Sequence, residues 1–188
     1  MTGESGSRTT AGSDRRTTEE GGRRRMTADT ARLTALMADA VETCVRRVES
    51  GGVPFVGLLV AADGWISDPG VNLVHETGDP TAHAEIVALR QAVRDRGRPP
   101  LRGATLLATG EPCALCYRFA AAHGIAAVRF AVDRHTAAAW GFDYRAGYEA
   151  APTARPPLEA AARHLPVDRG LAPFIRYRDL HRPDFTRP

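Results

Sequence analysis

Two short segments hold the residues whose types and spacing can do chemistry. They are Asp79-Pro80-Thr81-Ala82-His83-Ala84-Glu85 and Glu111-Pro112-Cys113-Ala114-Leu115-Cys116. Cys113 and Cys116 are three apart, so a helix puts both on one face. Pro112 precedes them and suits a first helical position, where a missing N–H costs nothing. The thiols then sit in a first turn, where the helix dipole favours thiolate. Pro80 marks a second helix start, and His83 follows it. One His and two Cys with a fourth position open make the ligand set of a catalytic zinc ion, whereas four protein ligands mark a structural one. Cys44 and His123 are the other candidates to close the set, and neither has ligand spacing to the pair. Two thiolates and a neutral imidazole leave such a centre uncharged, so a bound water loses its proton at modest cost. A carboxylate must accept that proton and return it to a leaving group. Glu85 is placed to do so if it and His83 both reach past the first turn of their helix. Each segment also has a plainer reading. His-x-Glu suits a solvated helix start, and Cys-x-x-Cys suits a redox pair. Their conjunction on two helix starts favours catalytic zinc.

These residues need elements to hold them. Thr30 can cap a helix whose apolar stripe is Leu33, Leu36, Met37, Ala40, Val41, Cys44 and Val45, ended by Gly51-Gly52. The run from Phe55 to Ala62 reads as a buried strand. Asp63-Gly64 is a hairpin signal, with a return strand from Trp65-Ile66. A helix follows over Thr81 to Arg96, then a strand over Ala104 to Ala108. Next come a helix over Pro112 to His123 and a strand over Ala126 to Val132. The two strand–helix–strand units predict parallel pairing, and the hairpin adds an antiparallel edge strand. The fold class is α/β, a mixed sheet with helices on both faces. Beyond Gly141, prolines punctuate the chain. A short helix is expected over Leu158 to His164 and a last one over Pro173 to Leu180.

Composition excludes several classes. The chain has 188 residues, enough for one domain and a tail, and 43% of them are apolar. No apolar run is long enough to span a membrane, and the polar N-terminus does not read as a secretory signal. Three cysteines argue against a disulfide framework and fit a cytoplasmic location. All 25 basic residues are Arg, which removes Lys-based mechanisms. Residues 1–25 carry six Arg and four acids, leaving 19 Arg and 18 acids for the remainder, so a near-neutral body does not demand a nucleic-acid partner. Residues 1–26 lack Leu, Ile, Val and aromatics and are expected to be a disordered tail. The expected domains are therefore this tail, a core over 27–151, and a C-terminal lid or dimer-exchange segment over 152–188.

The order His-x-Glu, then Pro-Cys-x-x-Cys, resembles the signature of the zinc deaminases, where the Glu is a general acid/base and not a ligand. The chain is similar to the cytidine deaminase superfamily. It most resembles the guanine deaminases and next the tRNA adenosine deaminases. The resemblance runs from about Leu33 to Tyr144, with an echo at Ala172-Pro173-Phe174. It includes Gly52-Val53-Pro54-Phe55, Gly70-Val71-Asn72 and Ala137-Ala138-Ala139-Trp140-Gly141-Phe142-Asp143, the last resembling guanine deaminases. It implies a three-layer α/β/α sandwich around a five-stranded mixed sheet, one zinc per subunit on His83, Cys113 and Cys116, and Glu85 as proton shuttle. It also implies a homodimer, often with exchanged C-terminal segments. Asn72 would hydrogen-bond the base, Phe55 would stack on it, and Ala84 would offer a backbone contact. Asp143 and Tyr144 would line the recognition edge, with Tyr144 standing where guanine deaminases carry a second acid.

The function so implied is hydrolytic deamination of an amino-substituted nucleobase, guanine-like first, in purine metabolism. A diverged substrate such as cytosine, a nucleoside or a biosynthetic heterocycle remains open. So do tRNA adenosine deamination and a base-binding zinc scaffold without turnover. A small-molecule partner is favoured over tRNA because the C-terminal arginines alternate with Asp179 and Asp184.

Overall fold

The computed structural model describes residues 11–96, 101–149 and 157–181. They fall into two compact units, one ending at Leu33 and one beginning at Thr34. Helix α1 spans Ala11–Glu49. It starts well ahead of Thr30, the expected cap, and reaches into the stretch read as a structureless tail. Once nucleated, a helix extends at about one hydrogen bond per residue fixed, and no proline interrupts this one. The rest of this description concerns the second unit.

Met37, Ala40, Val41, Cys44 and Val48 of α1 are buried, a spacing of three and four that follows one helical face. The sheet has five strands in the order β2-β1-β3-β4-β5. They are β1 (Val56–Val60), β2 (Gly70–Val71), β3 (Thr105–Gly110), β4 (Ala127–Val132) and β5 (Arg163–His164). β1 is antiparallel to β2 and to β3, while β3–β4 and β4–β5 are parallel. The expected parallel neighbour of the return strand is therefore not β3, because β1 lies between them. The hairpin also differs. Its turn closes at Asp63-Gly64 and bridges Val60 to Ile66, but the ladder resumes only at Gly70 opposite Gly57. Ser67 fills the gap, its hydroxyl accepting from Leu59 N–H at 2.9 Å and its N–H donating to Leu59 C=O at 3.0 Å.

Helices α2 (Val74–Thr77), α3 (Ala84–Arg96), α4 (Ala114–Ala122), α5 (Arg134–Ala139), α6 (Ala146–Glu149), α7 (Pro157–Ala161) and α8 (Ala172–His181) are the other helices among the described residues. Alternation along β3 sends Leu106 into a buried cluster with Leu89 of α3 and Tyr117 of α4. It sends Thr109 to the other face, where its hydroxyl reaches Cys44 of α1 at 3.7 Å. Helices thus cover both faces in three layers, and each fully buried Leu contributes about 1.5–3 kcal/mol. The helix expected over Leu158 to His164 ends at Ala161. Arg163 and His164 instead add to the open edge of β4, with Leu165 N–H donating to Phe130 C=O at 2.8 Å. Pro166 disfavours helical backbone at Leu165, and an unpaired strand edge offers the alternative. Arg163 and His164 pair with the chain's own β4, and Phe174 of α8 is fully buried. Of the expected C-terminal lid or dimer-exchange segment, residues 152–156 and 182–188 lie outside the described residues. No described helix is long and apolar enough to cross a membrane.

Candidate active site

Two loops bring the chemistry to one end of β1 and β3. The first enters α3. Asp79 folds it, its Oδ1 accepting from Thr81 N–H at 2.8 Å and Thr81 O–H at 2.6 Å, and its Oδ2 from Arg90 at 2.7 Å. The bond from the Thr81 hydroxyl, then that from Arg90, holds the Asp79 carboxyl down at about 2. His83 follows, and its carbonyl accepts Val87 N–H at 2.8 Å, the first bond of the helix. α3 lies very close to the sheet. A Cβ on Gly57 would stand 3.0 Å from Glu85 Cα, and one on Gly70 would overlap the Ala84 carbonyl and Ala88 nitrogen. Only glycines at both positions let the first turn of α3, and so Glu85, sit this deep. The second loop, Glu111-Pro112, leaves β3 and opens α4 with Cys113 as its extended N-cap.

The three expected ligands meet. Cys113 Sγ lies 3.5 Å from His83 Nδ1 and from Cys116 Sγ, and Cys116 Sγ lies 3.5 Å from His83 Nδ1. These form the one His/Cys/Asp/Glu group that could hold a metal ion among the described residues. A tetrahedral zinc about 2.3 Å from sulfur and about 2.0 Å from nitrogen separates its ligand atoms by roughly 3.5–3.8 Å. The triangle fits that ion with a fourth position open, and two soft thiolates with an imidazole suit it chemically. The thiol pair already favours charge separation. The bond from Cys116, then that from His83, pulls Cys113 down to about 4, while sharing a proton with Cys113 and burial push Cys116 up. The Cys113 contact likewise raises His83.

Glu85 is buried beside them, its Oε2 3.4 Å from Cys116 Sγ. Burial pushes its carboxyl up to about 7, with the Cys113 charge adding to the rise. A carboxyl poised near neutrality can both take and give a proton. A cavity of about 80 Å³ opens over these groups, lined by Phe55, Asn72, His83, Glu85, Glu111, Cys113 and Tyr144. Asn72 spends its Oδ1 on Val74 N–H at 3.1 Å, which leaves its amide N–H₂ to donate into the cavity. The Phe55 ring is fixed edge-on by Phe142 at 5.2 Å and Phe174 at 5.6 Å, and Gly110 leaves room for it, since a Cβ there would stand 2.7 Å from the ring.

Other expected residues are placed differently. Ala84 is buried, with its backbone close to Gly57 and Gly70. Asp143 is exposed and grips Arg145 with both oxygens, at 2.8 and 2.7 Å, on a separate open cleft. Tyr144 does reach the cavity, but its phenol donates to Glu111 C=O at 2.7 Å, so it presents its ring. Two groups went unassigned from sequence, Glu111 as a wall of the cavity and Phe142 as a brace for Phe55. Glu111 stands in the quoted motif, but nothing in its spacing says that its carboxylate is held by Arg134.

Residues 30–132 match the family model of the cytidine and deoxycytidylate deaminase zinc-binding region. Guanine deaminase of Bacillus subtilis is 37% identical over 105 residues, 55% of this chain and 67% of that protein. A tRNA-specific adenosine deaminase of Aquifex aeolicus is 40% identical over 77 residues, 41% of this chain, so the chain spans half of that relative's length. The solved structure of the Bacillus subtilis guanine deaminase superposes with a TM-score of 0.58 at 29% identity, covering 81% of this chain and 96% of that one.

Proposed function

The chain belongs to the cytidine and deoxycytidylate deaminase family, and from that premise we propose that it hydrolyses the exocyclic amine of a nucleobase, guanine-like first, releasing ammonia. The observation that carries the reading is Glu85, a buried carboxyl pushed up to about 7, beside three atoms spaced for zinc at the floor of a small cavity.

His83, Cys113 and Cys116 would hold one zinc per chain. When bound, the ion acidifies water enough to supply hydroxide near neutral pH. Phe55 and Tyr144, whose rings meet edge to face at 6.2 Å, together set an apolar wall against which a flat ring can pack. Asn72 donates its amide proton to a ring acceptor and orients the amino-bearing carbon toward Glu85. Glu85 Oε2 takes one proton as water's oxygen adds to that carbon and hands it to the ring nitrogen as the C=N double bond opens, then carries the remaining hydroxyl proton to the leaving amine. The C–N bond breaks, a carbonyl forms, and water and amine leave as oxo base and ammonia.

A free base is preferred over tRNA because basic groups near the C-terminus are already paired. Arg176 meets Glu49 at 3.2 Å and Arg169 meets Glu42 at 2.6 Å. The adenosine deaminase relative keeps tRNA as the second reading, marked by tight, salt-sensitive tRNA binding. The family resemblance further supports a cytoplasmic homodimer. The deciding experiment is ammonia release from guanine by zinc-loaded protein, with Glu85→Ala as control. Release that the control abolishes supports the reading. None from guanine, other bases, nucleosides or tRNA overturns it.

A further inference from the structure

Two tyrosines four residues apart hold the peptide that delivers Cys113. Tyr144 donates its phenol proton to Glu111 C=O at 2.7 Å, and Tyr148 donates to the next carbonyl, that of Pro112. The remaining groups of this dipeptide are also engaged. Glu111 N–H donates to Val132 C=O at 2.8 Å. Its carboxylate accepts Arg134 N–H at 2.8 Å and the Arg134 guanidinium at 2.5 Å. Pro112 has no N–H, so its carbonyl is its one backbone handle. The guanidinium lies 3.6 Å over the Tyr148 ring and also reaches Glu159 at 3.0 Å, which fixes the second phenol from below.

The residue after this dipeptide is Cys113. Its N–H and thiol direction follow from where Glu111 and Pro112 are pinned. Neither phenol belongs to β3 or α4, the elements that carry the loop. Both come from the segment around α6, so the loop is anchored by a separate piece of chain. Burial pushes both phenols above their ordinary range, which favours the protonated, donating form.

We infer that Tyr144 and Tyr148 are positioning residues for the metal centre, aiming the Cys113 thiol at His83 and Cys116 through the Glu111 and Pro112 carbonyls. This rests on the reading of those three residues as zinc ligands. It gives Tyr144 a role other than base recognition by its hydroxyl. Groups that orient a metal ligand without touching the ion change affinity by about 10–100-fold when removed.

The test is zinc affinity of the full chain, by competition with a chromophoric chelator. Wild type, Tyr144→Phe, Tyr148→Phe, the double variant and Tyr177→Phe are compared. Tyr177 is the control, since its ring packs on Phe142 and His181 away from the loop. Each single Phe variant keeps the ring and loses one hydrogen bond. The expected result is about a 10-fold loss of affinity for each single variant and up to about 100-fold for the double, with Tyr177→Phe unchanged. The cobalt-substituted variants should show shifted thiolate-to-metal and ligand-field bands. A double variant with wild-type affinity and cobalt spectrum overturns the inference. So does one whose affinity falls only at temperatures where its metal-free form melts. Wild-type protein that takes up neither metal overturns the ligand reading and the inference together.

Discussion

Glu85 Oε2 and Cys116 Sγ stand 3.4 Å apart although they are 31 positions apart in the chain. The carboxyl that would move the proton and a sulfur that would hold the ion are neighbours because α3 and α4 begin side by side over the ends of β1 and β3. Replacing Glu85 by Gln keeps size and hydrogen bonding but removes the carboxylate that would act as base. Turnover of zinc-loaded protein should fall by about 10²–10⁴-fold, the usual contribution of a positioned acid/base. Zinc content should stay unchanged. Ammonia release and metal analysis on the same sample check this, and turnover within tenfold of wild type would exclude Glu85 as the shuttle.

Asn72 and Asp143 would separate base recognition from surface pairing under the proposed function. Asn72 lines the cavity with a free amide donor, so Asn72→Ala should lower kcat/KM about tenfold, the worth of one neutral hydrogen bond. Asp143 is spent on Arg145 outside that cavity, so Asp143→Asn should leave kcat/KM within about twofold. Steady-state kinetics on both variants decide the matter. A large loss for Asp143→Asn would show that the carboxylate swings inward when substrate binds.

Much of this was legible from residue order. Pro112 before Cys113-x-x-Cys116, and Pro80 before His83-x-Glu85, announce two helix starts, and helix starts project side chains forward to a common point. The apolar stripe of α1 and the run at Val56–Val60 follow from periodicity. The destinations of hydrogen bonds were not legible. Trp65-Ile66 reads as the start of a return strand, yet the ladder lapses there and the Ser67 hydroxyl substitutes for a missing strand partner. Arg163 and His164 read as helix, yet an open edge of β4 recruits them. Tyr144 reads as an altered recognition residue, and only the approach of α6 to the Glu111 loop shows where its proton goes. Such choices depend on what the rest of the chain leaves unpaired, which local sequence does not encode.

The depth of α3 makes a sharp packing prediction. A methyl on Gly70 meets backbone, not a side chain that can turn away. Gly70→Ala should therefore destabilise the chain by about 1–3 kcal/mol and lift α3 from the sheet. Because α3 carries Glu85 and follows His83, zinc affinity should fall with it. Gly78→Ala is the contrast, since Gly78 has a positive φ but nothing within 4 Å, so its strain stays local to the turn. Chemical denaturation and chelator competition on both variants test the difference. Equal zinc affinity in Gly70→Ala and wild type would show that the site does not depend on this contact.

Removing the metal should expose one thiol selectively. In the metal-free protein Cys113 is held down at about 4 by Cys116 and His83, whereas burial pushes Cys44 up to about 12. The thiolate is the nucleophile. Iodoacetamide at pH 7 should label Cys113 first in chelated protein, label it far more slowly with zinc present, and spare Cys44 in both. Peptide mass mapping reads the order. Rapid labelling of Cys44 in folded protein would contradict its burial beside Thr109.

Cys44 also predicts how stability responds to alkali. Its thiol is buried under α1 and bonded by the Thr109 hydroxyl at 3.7 Å, and desolvation raises it to about 12 against an ordinary value of 9.0. A group raised in the folded state stays neutral there while its unfolded counterpart ionises. Its stabilising contribution is complete below the unfolded value and is lost as pH rises from about 9 toward about 12. One pH unit inside that window costs about 1.4 kcal/mol. Between pH 8 and pH 10 the wild type should therefore lose on the order of 1–2 kcal/mol more than Cys44→Ala does. The chain has no Lys, so no lysine deprotonation overlaps this window. Tyr117, Tyr144 and Tyr148 are raised as well, but they are present in both proteins and cancel in the difference. Urea denaturation of zinc-loaded wild type and Cys44→Ala at pH 8, 9 and 10 gives that difference directly. Parallel curves would mean that the thiol ionises in the folded chain as easily as in the unfolded one, and that water reaches it beneath α1.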